Sequence, residues 1–322
     1  MKFFSFSVFS SLLLTPPSAS ASPATDSVSK VDLFPPISGT LYRYDPSTNY
    51  AIFESGNIKS KTTLLAIGGL GDSLGTLSYA AFLSKRIEKE GWSLAQVTLS
   101  STGKGWGAYN VSQDAQEIAQ IIQYLTKSRG KEKVILLGHS TGTQDAVTLL
   151  QLPISKKLTS LKGIILQAPV SDRDYIEYTI EPTLLGQTIA AAQAQVDRGE
   201  GDLAISSRAI YETEFETHVS AKRWLKYEID YTSQDYFSVD LSKARLRSLF
   251  SHISLPIFWV LGGSDQYYPP SVDPKELLPR FLAASRNPSK LSLVLQGANH
   301  TIDARGPREK FAELVVKFIK NV

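Results

Sequence analysis

Ser140 stands between two glycines in the stretch Gly138 to Gly142, GHSTG. The apolar run Val134 to Leu137 precedes it, and the helix-like TGTQDAVTLLQL follows. A serine hydroxyl is a poor nucleophile without an adjacent base, and that base needs an acid to fix its tautomer. The G-x-S-x-G match is weak by itself; its place where a buried strand turns into a helix gives it meaning. So tight a turn would drive side chains two before and two after the serine into neighbouring elements, and Gly138 and Gly142 remove them. The serine is then held in a strained conformation with its hydroxyl above the sheet edge. The plain alternative is an ordinary strand-to-helix turn.

Four histidines leave the base open to elimination. His139 adjoins the serine and should point away, as a structural polar contact. His218 falls in a polar insertion, and His252 precedes its strand. His300, in LQGANHTID, follows the last predicted strand and precedes the last helix, where the order Ser, acid, His requires a base. Asp265, in FWVLGGSDQYYP, comes just after a buried strand and lies between the two in the chain. Asp240 is the fallback, Asp303 breaks the order, and Asp145 reads as a capping or pairing residue. A surface histidine and a solvated turn aspartate remain the bland readings of His300 and Asp265.

A tetrahedral intermediate also needs donors for its oxyanion. The backbone N–H groups of Thr141 and Leu70 are the candidates. Leu70 lies in IGGLGDS, where Gly68 and Gly69 let the backbone approach closely. Read as a phosphate cradle, this loop lacks the Walker lysine and the G-x-G-x-x-G spacing. Asp72 reads as a helix cap, with orienting the loop as the alternative. Trp106 and Tyr109, in SSTGKGWGAYN, flank the expected entrance and are candidate pocket residues, with loop packing as the alternative.

The elements that must position these groups alternate. TLYRY and YAIFES read as two strands around the turn DPSTN. TTLLAIGG, WSLAQVTLS, KVILLGHS, LKGIILQAPV, LPIFWVLGG and KLSLVLQG read as further strands, with helical stretches between most of them. Such an order predicts an α/β fold, with a mostly parallel central sheet and helices on both faces. From about 171 to 250 the rhythm breaks into a polar, Tyr-rich insertion with helical pieces, as a helical cap would. Most of its aromatics (Tyr175, Tyr178, Trp224, Tyr227, Tyr231, Tyr236 and Phe237) are expected to pack the cap against the body, with one or two of them facing substrate.

The chain has 322 residues, 42% of them hydrophobic, with a formal charge of +3. That supports an ordinary buried core and gives no reason to expect nucleic acid as a partner. No Cys is present, which excludes disulfides, a thiolate nucleophile and cysteine metal sites. Residues 1–21, with Lys2, the apolar run Phe3 to Leu14 and the small-residue site Ala19-Ser20-Ala21, read as a secretory signal peptide. Residues 22–38 read as a disordered linker and 39–322 as the folded domain. No stretch predicts stable membrane insertion. Sequons occur at Asn110 and Asn299, and a glycan at Asn299 would crowd the loop of His300.

AIGGLGDS, LLGHSTGTQD, QAPVSDRD and QDYFSVDLS together resemble fungal α/β-hydrolases that include the fusarinine C (siderophore) esterase. The likeness runs from about Leu41 to the C-terminus. It implies the α/β-hydrolase fold and a serine esterase acting on a small natural-product ester, without a metal or organic cofactor. By position it maps onto Ser140, Asp265 and His300. Those relatives read as intracellular, so a cytoplasmic location stands beside the secretion that the leader predicts. The expected activity is carboxylic ester hydrolysis through an acyl-enzyme on a small-molecule ester. A non-catalytic ligand receptor on the same scaffold and an acyltransferase are the alternatives. The residues do not specify the substrate or the oligomeric state.

Overall fold

The computed structural model describes residues 34–205, 218–228 and 235–322. The expected leader, most of the linker and Tyr231 lie outside the described residues. Residues 34–38 carry neither helix nor strand. No helix among the described residues is long and apolar enough to cross a membrane.

Eight strands form one sheet in the order β1-β2-β4-β3-β5-β6-β7-β8. β1 (Gly39–Arg43) and β2 (Ala51–Gly56) pair antiparallel, and β2 pairs antiparallel with β4 (Ser93–Val97). From there β3 (Thr62–Ile67), β5 (Lys133–His139), β6 (Leu161–Gln167), β7 (Ile257–Gly262) and β8 (Leu293–Leu295) run parallel to β4 and to one another. The last strand is shorter than its sequence suggests. A turn at Ser289, closed by Ser292 N–H to its carbonyl at 3.1 Å, occupies the beginning of the apolar stretch.

Strands buried on both faces read as continuous apolar runs, yet their side chains still alternate. Leu65 and Ile67 of β3, with Trp259 and Leu261 of β7, enter one core layer. That layer is covered by α2 (Val111–Arg129), α3 (Thr141–Gln151), α7 (Lys243–Phe250) and α8 (Pro274–Ala284). Leu64, Ala66, Phe258 and Val260 face the other way, onto α1 (Ala80–Glu88) and α9 (Arg305–Asn321). α2 starts on a capping box: Asn110 Oδ1 accepts from Ser112 and Gln113 N–H, and Gln113 Oε1 accepts from Asn110 N–H. Gly130, at φ 68°, ends it.

Between β6 and β7 lie α4 (Asp172–Thr179), α5 (Pro182–Asp197) and α6 (Ala221–Glu228), which share a separate apolar cluster with Trp106. Trp224 is buried there and donates from Nε1 to Thr188 Oγ1 at 3.0 Å. The expected cap, 171–250, is too long at its far end. Tyr236 and Phe237 sit in the core of the body, where Phe237 packs edge-on against Trp259 and Phe281. α7 belongs to the body as well, as the crossover into β7. Tyr178 is exposed and packs nothing between cap and body.

Lys131 and Glu54 form an ion pair at 1% and 0% side-chain exposure. Lys131 Nζ also donates to the carbonyls of Ser60 (2.7 Å) and Ile58 (3.2 Å), and Tyr42 donates its hydroxyl to Glu54 Oε2 at 2.7 Å. Removing one partner leaves a buried charge uncompensated, which typically costs about 3–5 kcal/mol. Lys131→Met should therefore lower the urea midpoint sharply, and Lys131→Met combined with Glu54→Gln should recover more than half of the loss.

Candidate active site

The loops that leave the C-terminal ends of β3, β5, β6, β7 and β8 meet over one edge of the sheet. Ser140, between β5 and α3, has φ 53° and ψ −123°. A non-glycine residue rarely adopts this region, and holding it there costs on the order of 1–3 kcal/mol. Two close approaches fix the turn. A Cβ on Gly138 would stand 2.2 Å from the carbonyl oxygen of Gly142. A Cβ on Gly142 would stand 2.6 Å from the oxygen of Gly68 and 2.7 Å from that of Ile67. Besides Ser140, Ala168 after β6 (φ 53°) and Ile302 beyond β8 (φ 55°) are the non-glycine residues at positive φ among those described. All three lie in the loops over this edge.

His300 and Asp265 are both buried, and His300 Nδ1 lies 2.8 Å from Asp265 Oδ2. The two loops are tied by Ser264 N–H to the Ala298 carbonyl at 2.9 Å, and Gln266 Oε1 accepts from His300 N–H at 3.2 Å. Asp265 Oδ1 is used as well, by Tyr267 N–H at 3.0 Å. The carboxylate is thus aimed by the turn that follows β7. His300 and Ser140 open on the same cavity, of about 360 Å³. His139, the residue before the serine, has its ring centroid 4.8 Å from that of His300.

His139, expected to point away from the reacting side, lines the same cavity as Ser140 and His300; the structural polar contact expected of it is present. Its Nδ1–H donates to Gln167 Oε1 at 2.5 Å, an oxygen that also accepts from the Tyr79 hydroxyl at 3.1 Å. The Gln167 amide N–H then donates to the backbone carbonyl of His300 at 2.9 Å. Burial, and next the neighbouring His300, push the His139 pKa down to about 4. It is a neutral strut between β5, β6 and the His300 loop. The fallback acid, Asp240, pairs with Arg173 instead, and Asp303 accepts from Asn299 Nδ2 at 2.7 Å.

Leu70 and Thr141 both line the cavity beside Ser140. Asp72 does not cap a helix: α1 begins eight positions later, and Asp72 Oδ2 accepts the Gly69 N–H at 2.6 Å. That contact sets the shape of the glycine loop and leaves Leu70 as the next amide along it. Gly69 itself faces the serine; a Cβ there would meet Ser140 Cβ at 2.8 Å. Trp106 lines the cavity, whereas Tyr109 is 37% exposed and does not line it. The 3₁₀ turn Gly103–Gly107 buries Trp106 and turns the chain outward before Tyr109. Sequence reasoning missed Asp172 and Tyr267 on the cavity wall; Tyr175, also on it, belongs to the insertion aromatics of which one or two were expected to face substrate. Their one signal was proximity to the strand ends, which many other loop residues share.

Several known proteins are similar to this chain as a whole. The fusarinine C esterase sidJ of Aspergillus fumigatus is 27% identical, across 87% of this chain and 95% of that protein. Esterase AN6793 of Emericella nidulans is 28% identical, across 87% of this chain and 91% of that one. Among solved structures, the siderophore hydrolase EstB from Aspergillus fumigatus superposes with a TM-score of 0.76 at 24% identity. The match covers 89% of this chain and 98% of that one and shows the α/β-hydrolase fold. Residues 29–322 match the family described as "Protein of unknown function (DUF1749)", and the chain belongs to that family.

Proposed function

We propose that this carboxylic ester hydrolase cleaves a small natural-product ester by a serine mechanism with an acyl-enzyme intermediate. The observation that carries the reading is the His300–Asp265 contact at 2.8 Å, beside a cavity that Ser140 and His300 share. Ester hydrolysis draws support from the named esterases among the relatives. A siderophore-type substrate is the finer reading, suggested by what sidJ is named for.

In the proposed reaction Ser140 Oγ attacks the ester carbonyl carbon while His300 Nε2 takes the hydroxyl proton. Asp265 keeps the other proton on Nδ1 and offsets the charge of the imidazolium. The carbonyl π pair moves to oxygen, where the N–H groups of Thr141 and Leu70 hold it. Collapse expels the alcohol, which leaves with the proton from His300. Water then repeats the sequence on the acyl-enzyme: His300 accepts its proton, and the acid departs as Ser140 regains its own. The positive N-terminal end of α3, beneath the serine, favours the developing negative charge.

Ser140→Ala should lower kcat for a 4-nitrophenyl ester by at least about 10⁴-fold and abolish the burst of nitrophenol. Turnover within tenfold of wild type would overturn the assignment. Asp265→Asn keeps the shape but presents a carboxamide to Nδ1, which favours the wrong imidazole tautomer. It should cost about 10³- to 10⁴-fold in kcat, with partial recovery at high pH, as read from the pH–rate profile.

A further inference from the structure

The cavity over Ser140 is unevenly charged. Two carboxylates, Asp72 and Asp172, line it, and no Lys or Arg does among the described residues. Asp72 is committed to the Gly69 N–H. Asp172 is placed differently. It is the first residue of α4, and Tyr175, one turn later, shares its face toward the cavity. Its Oδ2 accepts from Gln144 Nε2 at 2.9 Å. Gln144 is 5% exposed and sits on α3, one turn beyond the nucleophile. The carboxylate is therefore held on the wall by the helix that begins immediately after Ser140.

The rest of that wall is aromatic. Tyr175 and Tyr267 meet edge-on with centroids 5.0 Å apart, and Tyr267 lies 4.4 Å from the His300 ring. Trp106 lines the same space. An anionic group beside aromatic faces, in a half-enclosed space, is the chemistry that receives a positively charged nitrogen. Burial raises the pKa of Asp172, and Gln144, Arg223 and His300 draw it down while Asp235 adds to the rise. Arg223, on α6, comes from behind the wall: it lines a smaller neighbouring cavity and donates to the Trp106 carbonyl at 3.0 Å.

We propose that Asp172 is a specificity residue, selecting esters that carry a cationic nitrogen a few bonds from the scissile carbonyl, with Tyr175 and Tyr267 flanking the cation. This rests on the serine-esterase reading above and names the substrate class of the same site. A carboxylate at a helix start also interacts favourably with the helix dipole, so a purely structural role for Asp172 is the rival explanation. The two differ in whether its loss depends on substrate charge.

The test uses the full chain and two esters of matched shape, 4-nitrophenyl 4-(trimethylammonio)butanoate and 4-nitrophenyl 5,5-dimethylhexanoate. Wild type should favour the cationic ester in kcat/KM by about tenfold or more, the size expected of one partly desolvated charge pair. Asp172→Asn, which still accepts from Gln144, should bring that ratio close to one, because kcat/KM falls more for the cationic ester than for the neutral one. A wild-type ratio at or below one overturns the proposal without any variant, so a variant that fails to fold does not shield it. An unchanged ratio in Asp172→Asn overturns it too, and an equal loss on both esters assigns Asp172 a structural role only. Ser140→Ala run in parallel separates the two levels: if that variant still hydrolyses both esters, the serine reading fails, whatever the ratio shows.

Discussion

The site depends on two backbones coming closer than any side chain would allow. At Gly142 the first turn of α3 lies against the carbonyls of Ile67 and Gly68 at the end of β3. At Gly138 the end of β5 lies against that same first turn. With these contacts in place Ser140 has no relaxed conformation to adopt, and its positive φ follows. The strain is sustained because the surrounding sheet is buried on both faces, and moving one strand would disturb two core layers at once. The glycine loop after β3 gains its position from the same contacts, so the proposed nucleophile and the proposed oxyanion donors are set by one piece of packing.

Around that point the polar groups are arranged in relays. Tyr79 and His139 converge on one oxygen of Gln167, whose amide N–H then holds the carbonyl of His300. His139 performs this service because burial keeps it uncharged; a protonated ring would place a second positive charge beside the His300 imidazole. Gln144 carries a similar link from α3 to Asp172 on the opposite wall. Both glutamines are buried, and each holds a cavity residue from a neighbouring element: Gln167 of β6 holds the carbonyl of His300, and Gln144 of α3 holds the carboxylate of Asp172. Such connections are expected where a reactive geometry must be held within a fraction of an ångström.

Much of this was legible in the sequence because the signals were local. The apolar runs ending in glycine mark β3, β5 and β7, and the residues just past those ends were the ones to suspect. Ser140 follows β5 directly, and Asp265 and His300 lie in the turns after β7 and β8, in a chain order that chemistry restricts. Asp72 was misread because its partner, Gly69, lies only three residues away and no periodic pattern records such a turn. Tyr109 was misread because it is close in sequence to Trp106, while the 3₁₀ turn that buries Trp106 ends at Gly107 and the chain beyond it turns outward. Tyr236 and Phe237 looked like cap residues because the segment around them is polar. Phe237 takes its place in the body from contact with Phe250, Trp259 and Phe281, and Tyr236 from its hydrogen bond with Thr148 of α3, residues brought together only by the folded sheet.

The excursion between β6 and the body is stitched at its neck. Ser171 and Ser238 share a hydrogen bond at 2.6 Å, Arg173 reaches both Asp235 and Asp240, and Asp174 accepts the Val239 N–H at 2.9 Å. Departing and returning chain are thus fastened before the helices α5 and α6 begin their own packing. A loop whose ends already touch adds little to closure entropy as it lengthens. Evolution could therefore graft one such appendage for another, altering the shape above the serine while the sheet beneath went on folding by the same rules.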